Sequence, residues 1–230
     1  TAVVNVDGPG ADRMAEAVSN AGRRLFSVGR KGKDIRLIET APEPAGTALA
    51  LEADGVRYDL HLPLIGYFQA ENALVAAGLV IASGHAPEEV IPLLERLEGA
   101  PGRMQLAGER ILAGGKAGVY VDFAHTPDAI ETALKAIRPH AENRIIVIIG
   151  AGGDRDARKR PLMGRAAAAG ADIVIVTDDN PRTEDAATIR KAVLEGCPQA
   201  EEIGDREAAI LAGIQALEAG DVLLIAGKGH

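Results

Sequence analysis

The sequence has only one cysteine, Cys197, and no tryptophan among its 230 residues. A single cysteine excludes a disulfide within the chain and a cluster of thiolate metal ligands. The sequence also lacks an apolar run long enough to span a membrane, and its start, Thr1-Ala-Val-Val, lacks the basic residues of a signal peptide. These absences predict a cytoplasmic protein without membrane contact.

Basic residues are in the minority. The chain has 25 lysines and arginines against 33 aspartates and glutamates, which gives a net charge of −8. This balance argues against binding to nucleic acid or to an anionic membrane surface. An anionic small molecule remains compatible with it, because a few arginines can dominate the charge of one pocket. With 47% hydrophobic residues, the chain can bury a sizeable core in one large domain or two modest ones.

The early part of the chain predicts an α/β arrangement. Residues 3–28 follow a strand, helix, strand pattern. Further strand patterns cover residues 35–38, 48–51 and 56–62. Asp54-Gly55, just before the last of these, is typical of the turn of a β-hairpin.

Two helices and a break in regularity come next. Residues 64–83 are apolar around most of a helical circumference, and residues 87–97 place apolar side chains on one face. Residues 98–103 then contain two glycines and a proline, which end regular structure. We therefore predict one domain over residues 1–101 and a second over residues 102–230.

The second domain alternates strands and helices. After a hairpin over residues 104–120, apolar runs predict strands over residues 119–122, 145–149, 173–176, 202–203 and 222–225. Helical patterns between them cover residues 127–137, 159–169, 185–194 and 206–217. Runs this apolar are typical of strands that are covered on both faces, as in a parallel sheet. The alternation predicts a doubly wound, mostly parallel, Rossmann-like sheet.

Polar residues follow the predicted strands, in segments 122–128, 150–156, 178–182, 204–206 and 227–230. The carboxyl ends of parallel strands meet at one edge of a sheet, where the ligands of open α/β sheets bind. Gly150-Ala-Gly-Gly lets the backbone approach a ligand closely, but Asp154 and Arg155 follow it, so the dinucleotide motif GxGxxG is absent. Thr126-Pro127 fits an N-cap and the first residue of a helix. The pattern predicts a site for a polar, anionic ligand.

Each of these segments also has a structural explanation when it is taken alone. Asp-Asn-Pro-Arg at residues 179–182 is typical of a turn with a solvated arginine, and His125 fits the start of a helix. Lys159 and Arg160 are typical of a solvated helix face, and Gly227-Lys-Gly fits a strand exit. Their common location at one sheet edge favours a functional site.

Four motifs resemble those of a known enzyme family. They are Val121-Asp-Phe-Ala-His-Thr-Pro-Asp-Ala, Gly152-Gly-Asp-Arg-Asp with Lys159-Arg160-Pro-Leu-Met-Gly164, Thr177-Asp-Asp-Asn-Pro-Arg182 and Ala226-Gly-Lys-Gly-His230. In combination these motifs resemble those of the UDP-N-acetylmuramoyl-tripeptide synthetases (MurE) of the Mur ligase family. The resemblance of the chain is continuous from about residue 66 to the end. The resemblance implies a Rossmann-like domain preceded by the second half of the family's α/β central ATPase domain.

The resemblance implies a cytoplasmic ligase of bacterial peptidoglycan synthesis. Such enzymes use ATP and Mg²⁺ to activate the D-glutamate carboxylate of UDP-N-acetylmuramoyl-L-alanyl-D-glutamate as an acyl phosphate, which the amine of a diamino acid attacks. In that family, Asp-Asn-Pro-Arg marks users of meso-diaminopimelate. The chemistry of Arg182 agrees, because a planar guanidinium can bind the second carboxylate of diaminopimelate, which lysine lacks, through two parallel hydrogen bonds.

The resemblance also implies roles for individual positions. The diaminopimelate pocket is expected to contain Arg155, Asp179, Asn180, Pro181, Arg182 and Gly227. Contacts to ATP are expected from Asn72, Arg103, Asp122, His125 and Lys159. We expect the guanidinium groups of Arg155 and Arg182 to face a common cavity. No residue of the chain is assigned as a catalytic residue or as a metal ligand.

The sequence departs from the family pattern at several positions. Gln69 and Phe123 stand where the family usually has Asn and Tyr, and Arg158 stands where it has a smaller residue. The sequence has no Gly-x-x-x-x-Gly-Lys-[ST] phosphate loop. The resemblance places that loop, the UDP-binding domain, a carbamylated lysine and magnesium ligands before Thr1, and one glutamate after His230. We therefore expect a fragment of a ligase, without turnover by itself.

Two other functions are compatible with parts of this pattern. A related amide ligase, similar to cyanophycin synthetase or folylpolyglutamate synthase, would share the fold, but Asp-Asn-Pro-Arg argues against both. A non-catalytic module that binds an amino acid or a nucleotide would keep the pocket and lack the ATPase half. A phosphate loop encoded upstream would favour the ligase over the module.

Overall fold

The computed structural model describes residues 1–43 and 46–228. They form two compact units, one that ends at Glu98 and one that begins at Gly99. Within this described part, no helix is long and apolar enough to cross a membrane. Gly229 and His230, which close the fourth motif, lie outside the described residues.

The first unit is an α/β structure. Its strands are β1 (Ala2–Asn5), β2 (Leu25–Gly29), β3 (Ile35–Glu43), β4 (Gly46–Ala53) and β5 (Val56–Leu62). Its helices are α1 (Ala11–Asn20), α2 (Tyr67–Ala82) and the single turn α3 (Pro87–Val90), followed by a 3₁₀ helix over Ile91–Arg96. The strands lie side by side in chain order, parallel from β1 to β3 and antiparallel from β3 to β5.

The predicted hairpin turn at Asp54-Gly55 is confirmed. Ala53 pairs with Val56 across the turn, and Asp54 and Gly55 have φ angles of 50° and 75°. Positive φ at both central residues is the requirement of the type I′ turn, whose twist matches that of the strands it joins. The Asp-Gly pair therefore sets the register of β4 and β5.

The predicted helix over residues 87–97 is wrong as a continuous α-helix. The α-helical turn ends at Val90, and a 3₁₀ helix follows. Pro92 gives the physical reason, because proline has no N–H group for the carbonyl four residues earlier and its ring clashes with that carbonyl. The apolar side chains of Ile91 and Leu94 are nevertheless buried.

The second unit contains the predicted alternation of strands and helices. Its strands are β6 (Gln105–Leu112), β7 (Gly115–Asp122), β8 (Ile145–Ile149), β9 (Ile173–Val176), β10 (Glu201–Glu202) and β11 (Val222–Ala226). Its α-helices are α4 (Pro127–Ile137), α5 (Lys159–Gly170), α6 (Ala186–Leu194) and α7 (Arg206–Gln215). The sheet order is β10-β9-β8-β11-β7-β6, with parallel pairing throughout except in the β6–β7 hairpin. The predicted α/β fold class is confirmed.

Strand β8 is covered on both faces of the sheet. Ile146 and Ile148 pack in one cluster with Ala209 of α7. The alternate residues of β8, which point to the opposite face, are also buried. This double burial explains the unbroken run of β-branched residues, since a strand in contact with water on one face would alternate with polar residues.

The residues that follow β7, β8, β9 and β11 lie at one edge of the sheet, because these strands are parallel. Helices begin close to this edge. Thr126 caps α4 by accepting a hydrogen bond from the Ala129 N–H at 3.3 Å, and Pro127 is the first helical residue, as predicted. Asp185 and Asp205 cap α6 and α7 in the same way. The loops at this edge are thereby held by the helices that follow them.

Candidate functional site

A cavity of about 310 Å³ opens at the carboxyl ends of the parallel strands of the second unit. This volume is at the lower end of the range for small-molecule pockets. Its lining consists of Phe123, His125, Gly150, Ala151, Gly152, Arg155, Lys159, Asp179, Asn180, Arg182, Gly227 and Lys228. Four of these side chains are cationic, two arginines and two lysines, against the single carboxylate of Asp179. The charge balance favours a ligand that is mainly anionic.

Arg155 and Arg182 reach this cavity from two different loops. Arg155 belongs to the turn after β8, and Arg182 belongs to the loop after β9. Both residues line the same cavity. A guanidinium presents a planar set of N–H donors that matches a carboxylate. The arrangement therefore offers two separate carboxylate-binding groups to one ligand.

The two loops that carry these arginines are in direct backbone contact. The Gly153 N–H donates to the Asn180 carbonyl at 2.9 Å, and Arg182 Nη1 donates to the Gly153 carbonyl at 2.6 Å. A Cβ at residue 153 would lie only 1.8 Å from the Pro181 carbonyl oxygen. Only glycine permits this approach. Pro181 thus contributes through its backbone, next to the cavity lining.

Two non-glycine residues in these loops have left-handed backbone conformations. Asp154 and Arg182 both have φ of 51°. Such a conformation costs an L-residue about 1–2 kcal/mol and persists where surrounding contacts impose it. Hydrogen bonds supply those contacts: Asn180 Oδ1 accepts from the Arg182 N–H at 3.2 Å, and the Asp154 carboxylate accepts from the Thr183 hydroxyl at 2.7 Å.

Arg160 is buried next to the two loops, so the structural alternative of a solvated helix face does not apply to it. Its side chain is 4% exposed and donates to both carboxylate oxygens of Glu184, at 2.9 and 2.7 Å. Hydrogen bonds from the Arg160 side chain and then from the Asp154 N–H lower the pKa of Glu184. Helical spacing alone does not reveal this burial, because the loops that cover Arg160 come from other parts of the chain.

Arg206 lies at the same edge and contacts the ends of two strands. Its guanidinium donates to the carbonyl oxygens of Ala226 at 2.7 Å and Asp178 at 3.3 Å. A Cβ on Gly150 would be 3.3 Å from Arg206 Nη1. Burial lowers the pKa of Arg206, and the nearby charge of Asp179 opposes that shift. In the sequence, Arg206 belongs to the polar segment 204–206 after a predicted strand, but no role was predicted for it.

Lys228 is a cavity residue without an assigned role from the sequence. Its Nζ is 3.6 Å from Asp179 Oδ1, and its N–H donates to the Asp122 carbonyl at 3.3 Å. Gly227 before it has φ of 80°, which explains the choice of glycine. The location of Lys228 within the strand-end motif was the signal that could have identified it.

The positions expected to contact ATP in this unit lie around the end of β7. Each carboxylate oxygen of Asp122 accepts one backbone N–H, from Met104 and from Ala124, both at 2.8 Å. His125 Nδ1 lies 2.9 Å from the Phe123 carbonyl, so Nδ1 carries the proton in that hydrogen bond. His125 and Phe123 both line the cavity.

Lys159 and Arg103 lie beside the same segment. Lys159 Nζ donates to the His125 carbonyl at 3.0 Å and lines the cavity. The Arg103 guanidinium carbon is 4.4 Å from the centre of the Phe123 ring, a cation–π distance. Positive charge from both residues is thus available near the end of β7.

Asn72 belongs to the first unit, on helix α2. Its amide nitrogen is 3.4 Å from Gln69 Oε1, one helical turn away. Gln69 is buried, at 7% exposure. The side chain at position 69 therefore contacts Asn72 directly.

The sequence was compared with known protein families. Residues 102–229 match the domain described as Mur ligase, glutamate ligase domain, and residues 1–80 match the Mur ligase middle domain. The first match covers more than half of the 230 residues. The chain belongs to the Mur ligase family.

Relatives of this Mur ligase chain include the UDP-N-acetylmuramoyl-L-alanyl-D-glutamate--2,6-diaminopimelate ligases of Caulobacter vibrioides and Zymomonas mobilis. The first is 54% identical over 229 residues, and the second is 49% identical over 230 residues. The matches cover 100% of this chain and 46% and 47% of the two relatives. The chain therefore spans about half the length of the relatives that it matches.

Solved structures also match the Mur ligase chain. A UDP-N-acetylmuramoyl-L-alanyl-D-glutamate--2,6-diaminopimelate ligase matches with a TM-score of 0.66 and 35% identity, over 99% of this chain and 47% of that one. The Mycobacterium tuberculosis folylpolyglutamate synthase complexed with ADP and AMPPCP matches with a TM-score of 0.72 and 21% identity, over 96% of this chain and 50% of that one. The second likeness concerns the fold alone.

Proposed function

We propose that this chain supplies the amino-acid-binding part of an ATP-dependent ligase of the cytoplasm. In this proposal, the ligase adds meso-diaminopimelate to UDP-N-acetylmuramoyl-L-alanyl-D-glutamate in peptidoglycan precursor synthesis. Relatives that are 54%, 49% and 50% identical carry the name of this ligase. The observation that carries the proposal is the presence of Arg155 and Arg182 on one cavity.

The charges of this cavity suit diaminopimelate, which has two carboxylates and two amines. Arg155 and Arg182 can each pair with one carboxylate, and Asp179 can accept hydrogen bonds from an ammonium group. Lysine has one carboxylate and would leave a guanidinium unpaired. A site built to pair a polar group rejects an analogue that lacks it by roughly 10⁴-fold.

The remaining pocket residues shape the cavity. Asn180 orients the backbone of Arg182 through its side-chain oxygen, at 3.2 Å. Pro181 contacts Gly153 through its backbone. Gly227, in a left-handed conformation, lets the chain turn at the cavity wall without a side chain that would fill it.

We assign contacts with ATP to Asn72, Arg103, Asp122, His125 and Lys159, each described within its own unit. Asp122 suits a ribose hydroxyl, because an ionised carboxylate has about four acceptor positions and backbone donors occupy two of them. Lys159 suits the phosphate charge. ATP supplies the phosphoryl group that activates the acceptor carboxylate, and the residues of this chain bind and orient the nucleotide.

Mg²⁺ would accompany the nucleotide in this proposal, since it neutralises charge on transferring phosphates. Within the described residues, no three His, Cys, Asp or Glu side chains are grouped to hold a metal ion. This proposal assigns the magnesium ligands to no residue of this chain.

A ligation assay on the full-length protein that carries this chain tests the proposal. The reaction contains UDP-N-acetylmuramoyl-L-alanyl-D-glutamate, ATP, Mg²⁺ and either meso-diaminopimelate or L-lysine, and product is measured by mass spectrometry. We expect ATP-dependent product with diaminopimelate and a kcat/KM roughly 10⁴-fold lower with lysine. Equal use of lysine, or no product with either amino acid, would overturn the proposal.

A further inference from the structure

The ion pair of Arg160, which is buried, and Glu184, which is partly exposed, connects the two loops that carry the cavity arginines. Arg160 is on the first turn of α5, and Glu184 lies in the loop after β9, two residues from Arg182. The pair has two parallel hydrogen bonds, and Arg160 Nη2 also lies 3.4 Å from the Gly152 carbonyl oxygen in the turn after β8. The Arg160 guanidinium therefore contacts both the turn after β8 and the loop after β9.

Glu184 contacts the turn after β8 as well. Its Oε1 atom accepts the Asp154 N–H at 2.6 Å while it also accepts from Arg160. The Glu184 N–H donates to the Pro181 carbonyl at 3.0 Å. Asp154 and Arg182 are the two non-glycine residues of these loops with left-handed backbone conformations. The Glu184 carboxylate thus links the backbone of Asp154 to the loop that contains Arg182.

The two residues of this pair do not line the ligand cavity. Neither Arg160 nor Glu184 is among the residues that line the cavity, whereas Arg155 and Arg182 are. Arg160 Nε is buried without a hydrogen-bond partner among the described residues. An unpaired buried donor is unfavourable, so Arg160 keeps its contacts with Glu184 and Gly152 although one of its donors has no partner.

We propose that Arg160 and Glu184 are positioning residues that set the selectivity of the cavity for an amino acid with two carboxylates. They do so by fixing the distance and orientation between the turn that carries Arg155 and the loop that carries Arg182. The inference rests on the proposed function, because it concerns the same cavity. Two guanidinium groups discriminate between one and two carboxylates only if their separation is fixed.

A second arginine–carboxylate pair in the same sheet provides a matched control. Arg144 Nε donates to Asp221 Oδ1 at 3.3 Å and to Oδ2 at 3.1 Å, and Nη2 donates to Oδ2 at 2.6 Å. The Asp221 side chain has 0% exposure. Arg144 and Asp221 precede β8 and β11, so they lie at the opposite edge of the sheet from the cavity. Lysine in place of Arg160 or Arg144 removes the multiple hydrogen bonds to the partner carboxylate. Of the two arginines, Arg160 is the one that contacts the cavity loops.

The experiment compares Arg160→Lys with Arg144→Lys in the full-length protein. Lysine keeps the charge but cannot contact both carboxylate oxygens and the Gly152 carbonyl together. For Arg160→Lys we expect the KM for diaminopimelate to rise at least tenfold, the preference for diaminopimelate over lysine to fall at least tenfold, and the KM for ATP to stay within twofold. For Arg144→Lys we expect a lower melting temperature and unchanged selectivity.

Glu184→Gln keeps the proposal testable if Arg160→Lys does not fold. Glutamine keeps the shape and one acceptor oxygen, but its amide NH₂ faces a donor of Arg160, so one bond of the pair is lost. We expect the same loss of selectivity. Since the two residues act as a unit, the double variant should lose no more selectivity than the worse single variant.

The outcomes separate the inference from the proposed function. Wild-type protein that does not use diaminopimelate would refute the proposed function itself. Wild-type protein that prefers diaminopimelate, with Arg160→Lys and Glu184→Gln retaining that preference, would overturn only the positioning role. Equal changes of selectivity in Arg160→Lys and Arg144→Lys would overturn it too, because they would show a general effect of stability.

Discussion

Arg182 Nη1 donates a hydrogen bond to the carbonyl oxygen of Gly153, at 2.6 Å. This bond fixes the plane of the guanidinium relative to the turn after β8. Because one nitrogen is engaged by the backbone, the Nε and Nη2 donors on the other edge of the group are those that can pair with a ligand carboxylate. The cavity therefore presents Arg182 in a defined orientation before a ligand arrives.

Removal of the Arg182 guanidinium should reduce the reaction with diaminopimelate and leave ATP binding nearly unchanged. We expect Arg182→Ala to lower kcat/KM for diaminopimelate by roughly 10³–10⁴-fold, because the second carboxylate loses its partner. The KM for ATP should stay within about twofold. Arg182→Lys should recover little of the loss, because an ammonium cannot make the two parallel hydrogen bonds of a guanidinium. Steady-state kinetics on the full-length protein check both variants.

Arg158→Ala is the matched control for Arg182→Ala. Arg158 lies in the loop after β8, its side chain is 93% exposed, and it pairs with Asp156 at 3.1 Å. An exposed ion pair contributes little to stability, so this variant should keep the wild-type kinetics. If Arg182→Ala reduced the use of diaminopimelate and lysine equally, Arg182 would not be the residue that binds the second carboxylate.

Gly153→Ala should disrupt both loops. The added Cβ would lie 1.8 Å from the Pro181 carbonyl oxygen, so one backbone segment must move. We expect a loss of about 3 kcal/mol in the free energy of unfolding and at least a tenfold rise in the KM for diaminopimelate. Urea unfolding and kinetics measure the two effects. Gly108→Ala, where a Cβ meets no atom within 4 Å, should change neither, and a comparable loss there would contradict the explanation.

The pH dependence of stability should report the buried carboxylate of Asp221. Burial acts to raise its pKa, but hydrogen bonds from the Arg144 side chain and from the Glu218 and Arg144 N–H groups outweigh it, so the pKa is lowered from 3.8. A lowered folded-state pKa means that the stabilisation is present above about pH 3.8 and is lost as the pH falls through the folded-state value.

Asp221→Asn should therefore lower the melting temperature most at neutral pH. We expect a decrease of about 4–8 °C at pH 7, for a loss of about 2 kcal/mol. Thermal unfolding followed by circular dichroism between about pH 3 and pH 7 should show the difference from wild type shrinking at the acid end. A difference that stays constant over this range would mean that the charge of Asp221 does not stabilise the fold.

The 230-residue chain alone should form no ligation product. Its sequence contains no Gly-x-x-x-x-Gly-Lys-[ST] loop to hold ATP phosphates. The measurement is ATP-dependent product formation by a preparation whose mass has been verified, with the full-length protein as the positive control. Turnover by the verified chain would show that phosphate binding is provided in another way.

The sequence predicted those parts of the fold that depend on local pattern. The β-branched run of β8 indicated a strand buried on both faces. Asp54-Gly55 indicated the hairpin turn between β4 and β5. Thr126-Pro127 indicated the start of α4. These features follow from residues that are neighbours in the chain. The continuous α-helix over residues 87–97 is wrong because Pro92 cannot donate an α-helical hydrogen bond, and apolar periodicity does not show that effect.

The contacts between the two cavity loops could not be predicted in the same way. Gly153 and Pro181 meet because two separate strands end side by side, and the sequence contains no local sign of that distance. The left-handed conformation of Asp154 is equally hidden, since its residue type permits it without requiring it. The Arg160–Glu184 pair joins residues 24 positions apart. Such features depend on tertiary packing, whereas the choice of cavity residues followed from the family resemblance.

Strand β11 lies between β8 and β7 in the sheet, although it is the last strand of the described chain. Until residues 222–226 have been synthesised, β7 and β8 each keep an open edge with unpaired N–H and C=O groups. Open edges are where strands of other molecules add. A partly synthesised chain that ends before Val222 therefore exposes two strand edges at which other molecules can add, and insertion of β11 covers both edges at once.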